Sequence, residues 1–150
     1  MMIVKRHALA LLWFAVVWVS LGVLFEAIPL PASLTGAFSS RNEAEQAQNI
    51  AMLWINSFLS IQALIAYAVG AYTLRRNALV PGLLVYVLMA LPAIWILHSI
   101  ALPAQPSITF ADVIAGNLSG WISSFVACIA GLLIGEHLAK YRYDTRAYAS

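Results

Sequence analysis

Four apolar segments, each longer than twenty residues, divide this chain of 150 residues. They cover residues 8–28, 50–74, 79–102 and 113–139. A helix rises about 1.5 Å per residue, so about 20 apolar residues cross a hydrocarbon layer of about 30 Å. Lipid offers the backbone no hydrogen-bond partner, and a helix satisfies its own backbone groups. The segments therefore predict an all-α integral membrane protein, one bundle of four transmembrane helices over residues 1–150.

The composition and the cysteine count exclude several other classes of protein. Hydrophobic residues make up 63% of the chain and charged residues 9%, whereas soluble domains have about 45–50% and about 25%. Cys128 is the only cysteine in the sequence, which excludes an intrachain disulfide and a cysteine metal cluster. The short basic tail after residue 139 is more typical of an anchor beside anionic lipid than of a nucleic-acid site.

The basic residues predict the orientation of the bundle. Lysine and arginine are retained on the cytoplasmic side of membrane proteins. Seven of the eight basic residues fall on one side of the predicted helices, and Arg41 falls on the other. The seven are Lys5, Arg6, Arg75, Arg76, Lys140, Arg142 and Arg146. Both termini are then cytoplasmic. In an alternative interpretation, residues 8–28 belong to a signal peptide cleaved near Ala37, but their apolar core exceeds the usual length of about 7–15 residues.

A stripe of small residues follows one face of the fourth segment. Such faces allow two membrane helices to approach closely, and this packing contributes much of their association. The stripe predicts a helix-packing interface, either within the chain's own bundle or with a second copy or another subunit. Its members recur at intervals of three or four residues: Gly116, Gly120, Ser124, Ala127, Gly131 and Gly135.

Polar residues concentrate in the half of the bundle predicted to face outward. Asn56 lies on the second segment, Glu26 and His98 lie near the outer ends of the first and third, and Asn117 lies near the start of the fourth. Ionisable residues within spans often face a bundle interior or a water-filled cavity. We expect a ligand or ion pathway formed by these four residues, open to the outside beneath a loop at 31–46. Ordinary hydrogen bonding between helices is the alternative interpretation.

A proline in the third segment and two tryptophans, one each in the second and third segments, bear on the shape and surroundings of the bundle. Pro92 removes a backbone hydrogen bond near its middle and predicts a kink or a hinge. Trp54 and Trp95 lie about 10 Å inside the ends of their segments, reckoned at 1.5 Å per residue. They either pack helices together or enclose an apolar pocket near His98. His98 is a weak candidate for a haem ligand, because no second histidine lies at a similar depth in another segment.

The sequence contains no signature of an enzyme. The motifs HExxH and GxSxG, a phosphate-binding loop and a carboxylate pair at similar membrane depth are all missing from it. We therefore expect no catalytic residue, no metal site and no cofactor. The expected function is that of a small non-enzymatic subunit or accessory protein in a bacterial-type inner membrane. Its expected partners are lipid and other membrane subunits or a second copy, and not nucleic acid.

Two other functions fit the same pattern. One is a small homo-oligomeric transporter with its polar site in the outer half of the bundle. The other is a protein that binds an apolar ligand or a quinone near Trp54, Trp95 and His98.

Overall fold

A computed structural model describes residues 2–29, 31, 40–75, 77–103 and 105–147, with side chains described between residues 5 and 142. Within these residues the chain is helical and has no strand. The helices are α1 (Met2–Glu26), α2 (Arg41–Leu74), α3 (Leu79–Ala101), α4 (Phe110–Gly116) and α5 (Leu118–Ala147). All except α4 are long and apolar enough to span a membrane. The all-helical fold with four such helices is confirmed.

Helix α2 begins at Arg41, well before the apolar segment that starts at residue 50. The Ser40 hydroxyl caps it by accepting a hydrogen bond from the backbone N–H of Glu43 at 3.2 Å. Across the first turn, Arg41 Nε and Glu45 Oε1 form an ion pair at 3.1 Å. Residues 41–46, expected to belong to a capping loop, are therefore the first turns of α2. Residues 32–39 of that loop lie outside the described residues.

The fourth apolar segment is divided into two helices at Asn117. The backbone of Asn117 has φ −126° and ψ 33°, which ends α4 and precedes the start of α5. Thr109 and Asp112 form a capping box at the start of α4. The expected single helix over 113–139 is thus interrupted near its beginning, and α5 continues beyond residue 139 through the basic tail to Ala147.

The other two long helices lie close to their expected positions. Helix α1 ends at Glu26, two residues before the expected limit at 28. Pro29 follows Ile28, and a residue that precedes proline disfavours the helical conformation. Helix α3 continues through Pro92 as one element.

The centre of the fold is a pair of parallel helices, α2 and α5, that are not neighbours in the sequence. Gly131 of α5 lies against the backbone of Leu64, and Gly135 lies against that of Ala68. The core around this pair consists mostly of small side chains: Ala63, Ala66, Ala71, Ala78, Ala127 and Cys128, with Phe14, Tyr67 and Leu132 as its large members. Close approach of two backbones therefore holds this pair together.

Helices α1 and α3 flank the central pair, and within the described part of the chain their backbones do not approach each other closely. Helix α1 packs on α2, while α3 packs mainly on α5. The starts of α1 and α3 and the ends of α2 and α5 lie at the same end of the molecule, which we call the basic end. Its described basic residues are Lys5, Arg6, Arg75, Lys140 and Arg142. The opposite end, called the distal end, carries Glu26, His98 and α4.

Candidate functional site

Asn56 and Asn117 form the centre of a polar site toward the distal end. Asn56 lies on α2 with 7% of its surface exposed, and its Nδ2 donates to Oδ1 of Asn117 at 3.1 Å. Gly120 leaves room for this pair, because a Cβ at residue 120 would lie 2.6 Å from the side-chain oxygens of both asparagines. The helix break at Asn117 and the small residue Gly120, about one turn later, together position the side-chain amides of Asn56 and Asn117.

A second polar layer follows, about one helical turn toward the basic end. Ser60 Oγ lies 2.8 Å from the carbonyl oxygen of Asn56 and 3.0 Å from Oγ of Ser123. The Tyr86 hydroxyl of α3 lies 3.1 Å from the Trp121 carbonyl oxygen and 3.1 Å from Ser124 Oγ. Interhelical hydrogen bonds of this kind contribute about 0.6–2 kcal/mol each in membranes. These polar groups therefore satisfy one another and join α2, α3 and α5.

A cavity of about 320 Å³ adjoins both layers and is bounded by α1, α2, α3 and the α4–α5 region. Its volume falls at the lower limit of sites that hold small molecules, about 300–1,000 Å³. Its aromatic and polar lining comprises Trp18, Asn56, Tyr67, Tyr86, Asn117, Trp121 and Ser124. No aspartate, glutamate, lysine, arginine or histidine is among the described residues that line it. The cavity therefore offers neutral hydrogen-bonding groups and no carboxylate, imidazole or amine.

The indole of Trp121 borders this cavity and carries a buried donor without a partner in the described part of the chain. Its Nε1 is buried and has no hydrogen-bond partner among the described residues. Buried donors without a partner are uncommon in proteins and usually have a specific explanation. The described residues of the site offer neutral hydrogen-bonding groups, which can hold a neutral molecule or water.

Glu26 and His98 lie apart from the asparagine pair. Glu26 borders a crevice between α1 and α2 at the distal end, together with Gly22, Trp54 and Phe58. His98 Nε2 lies 3.0 Å from the carbonyl oxygen of Ile108. Within the described part of the chain, Glu26 and His98 form no ion pair with each other. The structure thus brings together Asn56 and Asn117 from the expected pathway and places Glu26 and His98 in two other environments.

His98 belongs to a corner that joins α3 to α4. Its ring stacks on Phe110 with 4.2 Å between the ring centroids. Next to Phe110, the hydroxyl and the backbone N–H of Thr109 both donate to the Asp112 carboxylate, and these bonds hold the pKa of Asp112 below its usual range. The contacts of His98 in this corner serve to fix the link between the two helices.

The stripe of small residues divides between two environments. Gly120, Gly131 and Gly135 pack against α2, and a Cβ at any of them would overlap atoms of that helix. Ala127 is buried in the core, and Ser124 borders the cavity. Gly116 lies on α4, where a Cβ would meet nothing within 4 Å. Most of the predicted interface thus packs on α2 of the same chain.

The two tryptophans considered for an apolar pocket do not share one. Trp54 packs edge-on against Phe58, with 5.1 Å between the ring centroids. Trp95 lies on α3 with 62% of its surface exposed. His98 lies in the corner with Phe110. The three residues therefore occupy separate parts of the distal half.

Two polar contacts between helices, one from buried Gln62 and one from partly buried Glu136, are not among the sequence predictions. Gln62 of α2 is 4% exposed, and its Nε2 donates to the Trp18 carbonyl oxygen of α1 at 2.6 Å. Glu136 of α5 accepts the backbone N–H of Ala78, the residue that precedes α3, at 2.5 Å. Both are polar residues within predicted spanning segments, a signal that could have identified them. They join α1 to α2 and α3 to α5, respectively.

Comparison of the chain with known protein families, characterised proteins and solved structures finds no match. Among the described residues, no group of three or more His, Cys, Asp or Glu side chains could hold a metal ion.

Proposed function

We propose that this protein is a small non-enzymatic subunit or accessory protein of a larger assembly in a bacterial-type inner membrane, with both termini in the cytoplasm. The observation that carries this proposal is the uncovered apolar face of α3. Of the residues of α3, only Gly82 is buried. Val87, Leu91 and Trp95 recur at intervals of four residues and are 51%, 60% and 62% exposed. They form the face that we propose for a partner subunit.

Trp95 favours a protein partner over lipid alone on this face. It precedes the end of α3 at Ala101 by six residues, which places it about 9 Å inside the helix end. Tryptophan usually lies at the membrane surface, where its N–H reaches polar groups. At the depth of Trp95 lipid offers the indole N–H no acceptor, whereas a helix from another subunit has side-chain or carbonyl oxygens to offer.

A transporter has less support from the geometry. Proton- or ion-coupled transport uses ionisable groups along its pathway, and the described lining of the cavity at Asn56 and Asn117 has none. A quinone site near Trp54, Trp95 and His98 also has less support, because these residues occupy three different environments.

The proposed orientation predicts which loops react with a membrane-impermeant thiol reagent. Cysteine at Ser107 is expected to be labelled in intact cells, and cysteine at Asn77 only after the membrane is opened. Both positions are exposed, and native Cys128 is 0% exposed, which keeps the background low. Labelling of Asn77→Cys in intact cells would reverse the proposed orientation.

The subunit proposal predicts an unrelated chain beside α3. We expect a photoreactive residue at Leu91 to form an adduct with a different membrane protein, and intact-mass measurement in mild detergent to show the two at fixed stoichiometry. The matched control is the same residue at Val126 of α5, which is 58% exposed compared with 60% for Leu91. Adducts only between copies of this chain would favour the homo-oligomeric transporter. A monomer without adducts at either position would contradict both functions.

A further inference from the structure

A second cavity lies between α1 and α3 at the basic end. It has a volume of about 250 Å³ and an almost wholly apolar lining, with Tyr67 at its deep end. Its walls include Leu11 and Phe14 of α1 and Leu84 and Leu88 of α3. Because the backbones of α1 and α3 do not approach each other closely, this groove lies between two separated helices and opens toward the surrounding apolar phase.

The dimensions of the groove fit one hydrocarbon chain. Along α3 it extends from Ala78 to Leu88, which at 1.5 Å per residue is about 15 Å. That length matches one leaflet, half of a hydrocarbon layer of about 30 Å. A volume of about 250 Å³ over this length gives a mean cross-section of roughly 17 Å².

This narrow cross-section favours an extended chain over a helix as the occupant. A helix about 10 Å in diameter has a cross-section of about 80 Å². Carbon atoms in contact lie about 4 Å apart, so a single extended hydrocarbon chain needs on the order of 15 Å². The width of the groove therefore matches an acyl chain better than a helical segment of a partner subunit.

The basic residues beside the groove favour a lipid with an anionic headgroup. His7 lines the groove at its basic end, and Lys5 and Arg6 precede it on α1. Arg75 directly follows Leu74, which also lines the groove. The nearby carboxylate of Glu136 is engaged by the backbone N–H of Ala78. Basic clusters of this kind between membrane helices attract anionic lipid headgroups.

We propose that this groove binds one acyl chain of an anionic phospholipid, with the lipid phosphate beside Arg75 and the start of α1. The proposal does not rest on the subunit function, because the groove is lined by residues of this chain alone. Native mass spectrometry tests it without the partner.

The test uses the purified full chain, dioleoyl phosphatidylglycerol, and dioleoyl phosphatidylcholine as the uncharged reference with identical acyl chains. We expect one bound lipid and a preference for phosphatidylglycerol of at least about fivefold, the effect expected for one basic residue beside an anionic lipid. Equal retention of both lipids would overturn the assignment of the headgroup.

Two pairs of variants locate the binding site. Leu84→Trp fills the groove and is expected to abolish retention of either lipid, whereas Leu133→Trp on α5 leaves it unchanged; these positions are 60% and 57% exposed. Arg75 directly follows the lining residue Leu74, whereas Lys140 lies at the same end but is adjacent in sequence to no lining residue. Arg75→Gln is therefore expected to reduce the preference for phosphatidylglycerol at least about threefold, and Lys140→Gln to reduce it less. Equal lipid retention by the two tryptophan variants would overturn the groove as the site.

Discussion

We expect the substitution Gly131→Leu to prevent α5 from packing on α2 and to leave little correctly folded protein. A Cβ at residue 131 would overlap the carbonyl oxygen of Leu64 and lie 3.1 Å from Cβ of Tyr67. The obstacle is backbone, which cannot rotate away as a flexible side chain can, so the two helices have to separate. Overpacking usually costs 1–3 kcal/mol, and a whole leucine side chain here is expected to cost about 3 kcal/mol or more.

The yield of monodisperse protein and the midpoint of unfolding in mild detergent measure this effect. Gly135→Leu is expected to behave in the same way, because a Cβ there would overlap the Ala68 carbonyl oxygen. Gly116→Leu is the matched control, since a Cβ at residue 116 would meet no atom within 4 Å. If Gly131→Leu and Gly116→Leu gave the same yield and midpoint, close packing at residue 131 would not hold α2 and α5 together.

The sequence pattern identifies the small-residue face but leaves its partner open. Intervals of three and four residues place Gly120, Gly131 and Gly135 on one side of a helix whatever lies opposite. The surface they meet is formed by the backbone of α2 around Leu64 and Ala68. Four apolar helices can be arranged in several orders around a bundle, and hydrophobicity does not choose among these orders because lipid is as apolar as the helices.

The start of α2 and the break at Asn117 both differ from the predicted segment boundaries. Each has a local cause that a hydrophobicity pattern does not reveal. Helix α2 continues outward to Arg41 because Ser40 caps it and the polar segment contains good helix formers. The fourth segment breaks at Asn117, although apolar residues continue on both sides of it. Asparagine competes with the helix backbone for hydrogen bonds, and here its side chain accepts from Asn56.

The depth of a residue along the bundle is easier to predict from the sequence than its position around the bundle axis. The expected pathway placed Glu26, Asn56, His98 and Asn117 in the same half of the molecule, and all four lie toward the distal end. Only Asn56 and Asn117 meet, because α2 and α5 form the central pair. Glu26 and His98 are carried by α1 and α3, which flank that pair and whose described backbones stay apart. A sequence specifies distance along each helix, whereas rotation about the bundle depends on all the packing contacts together.

Tyr67 is a single side chain on which both cavities depend. It is 3% exposed, and its ring packs on Phe14 of α1 with 4.8 Å between the centroids. It lies beside Cys128 and Gly131 of α5. It also lines both the cavity at Asn56 and Asn117 and the groove between α1 and α3. The phenol ring therefore separates the two spaces and supports α1 from beneath.

Tyr67→Ala is accordingly expected to destabilise the protein by about 3–5 kcal/mol, the usual cost of removing a buried aromatic ring. The two cavities would join, and α1 would lose its aromatic contact while keeping the bond from Gln62 to the Trp18 carbonyl. Unfolding in mild detergent measures the total cost, and amide hydrogen exchange along α1 is expected to rise more than exchange along α5. Tyr67→Phe retains the ring and is expected to change stability by about 1 kcal/mol or less. If the alanine and phenylalanine variants unfolded at the same point, the ring would not be what separates the cavities, and α1 would depend on its other contacts with α2.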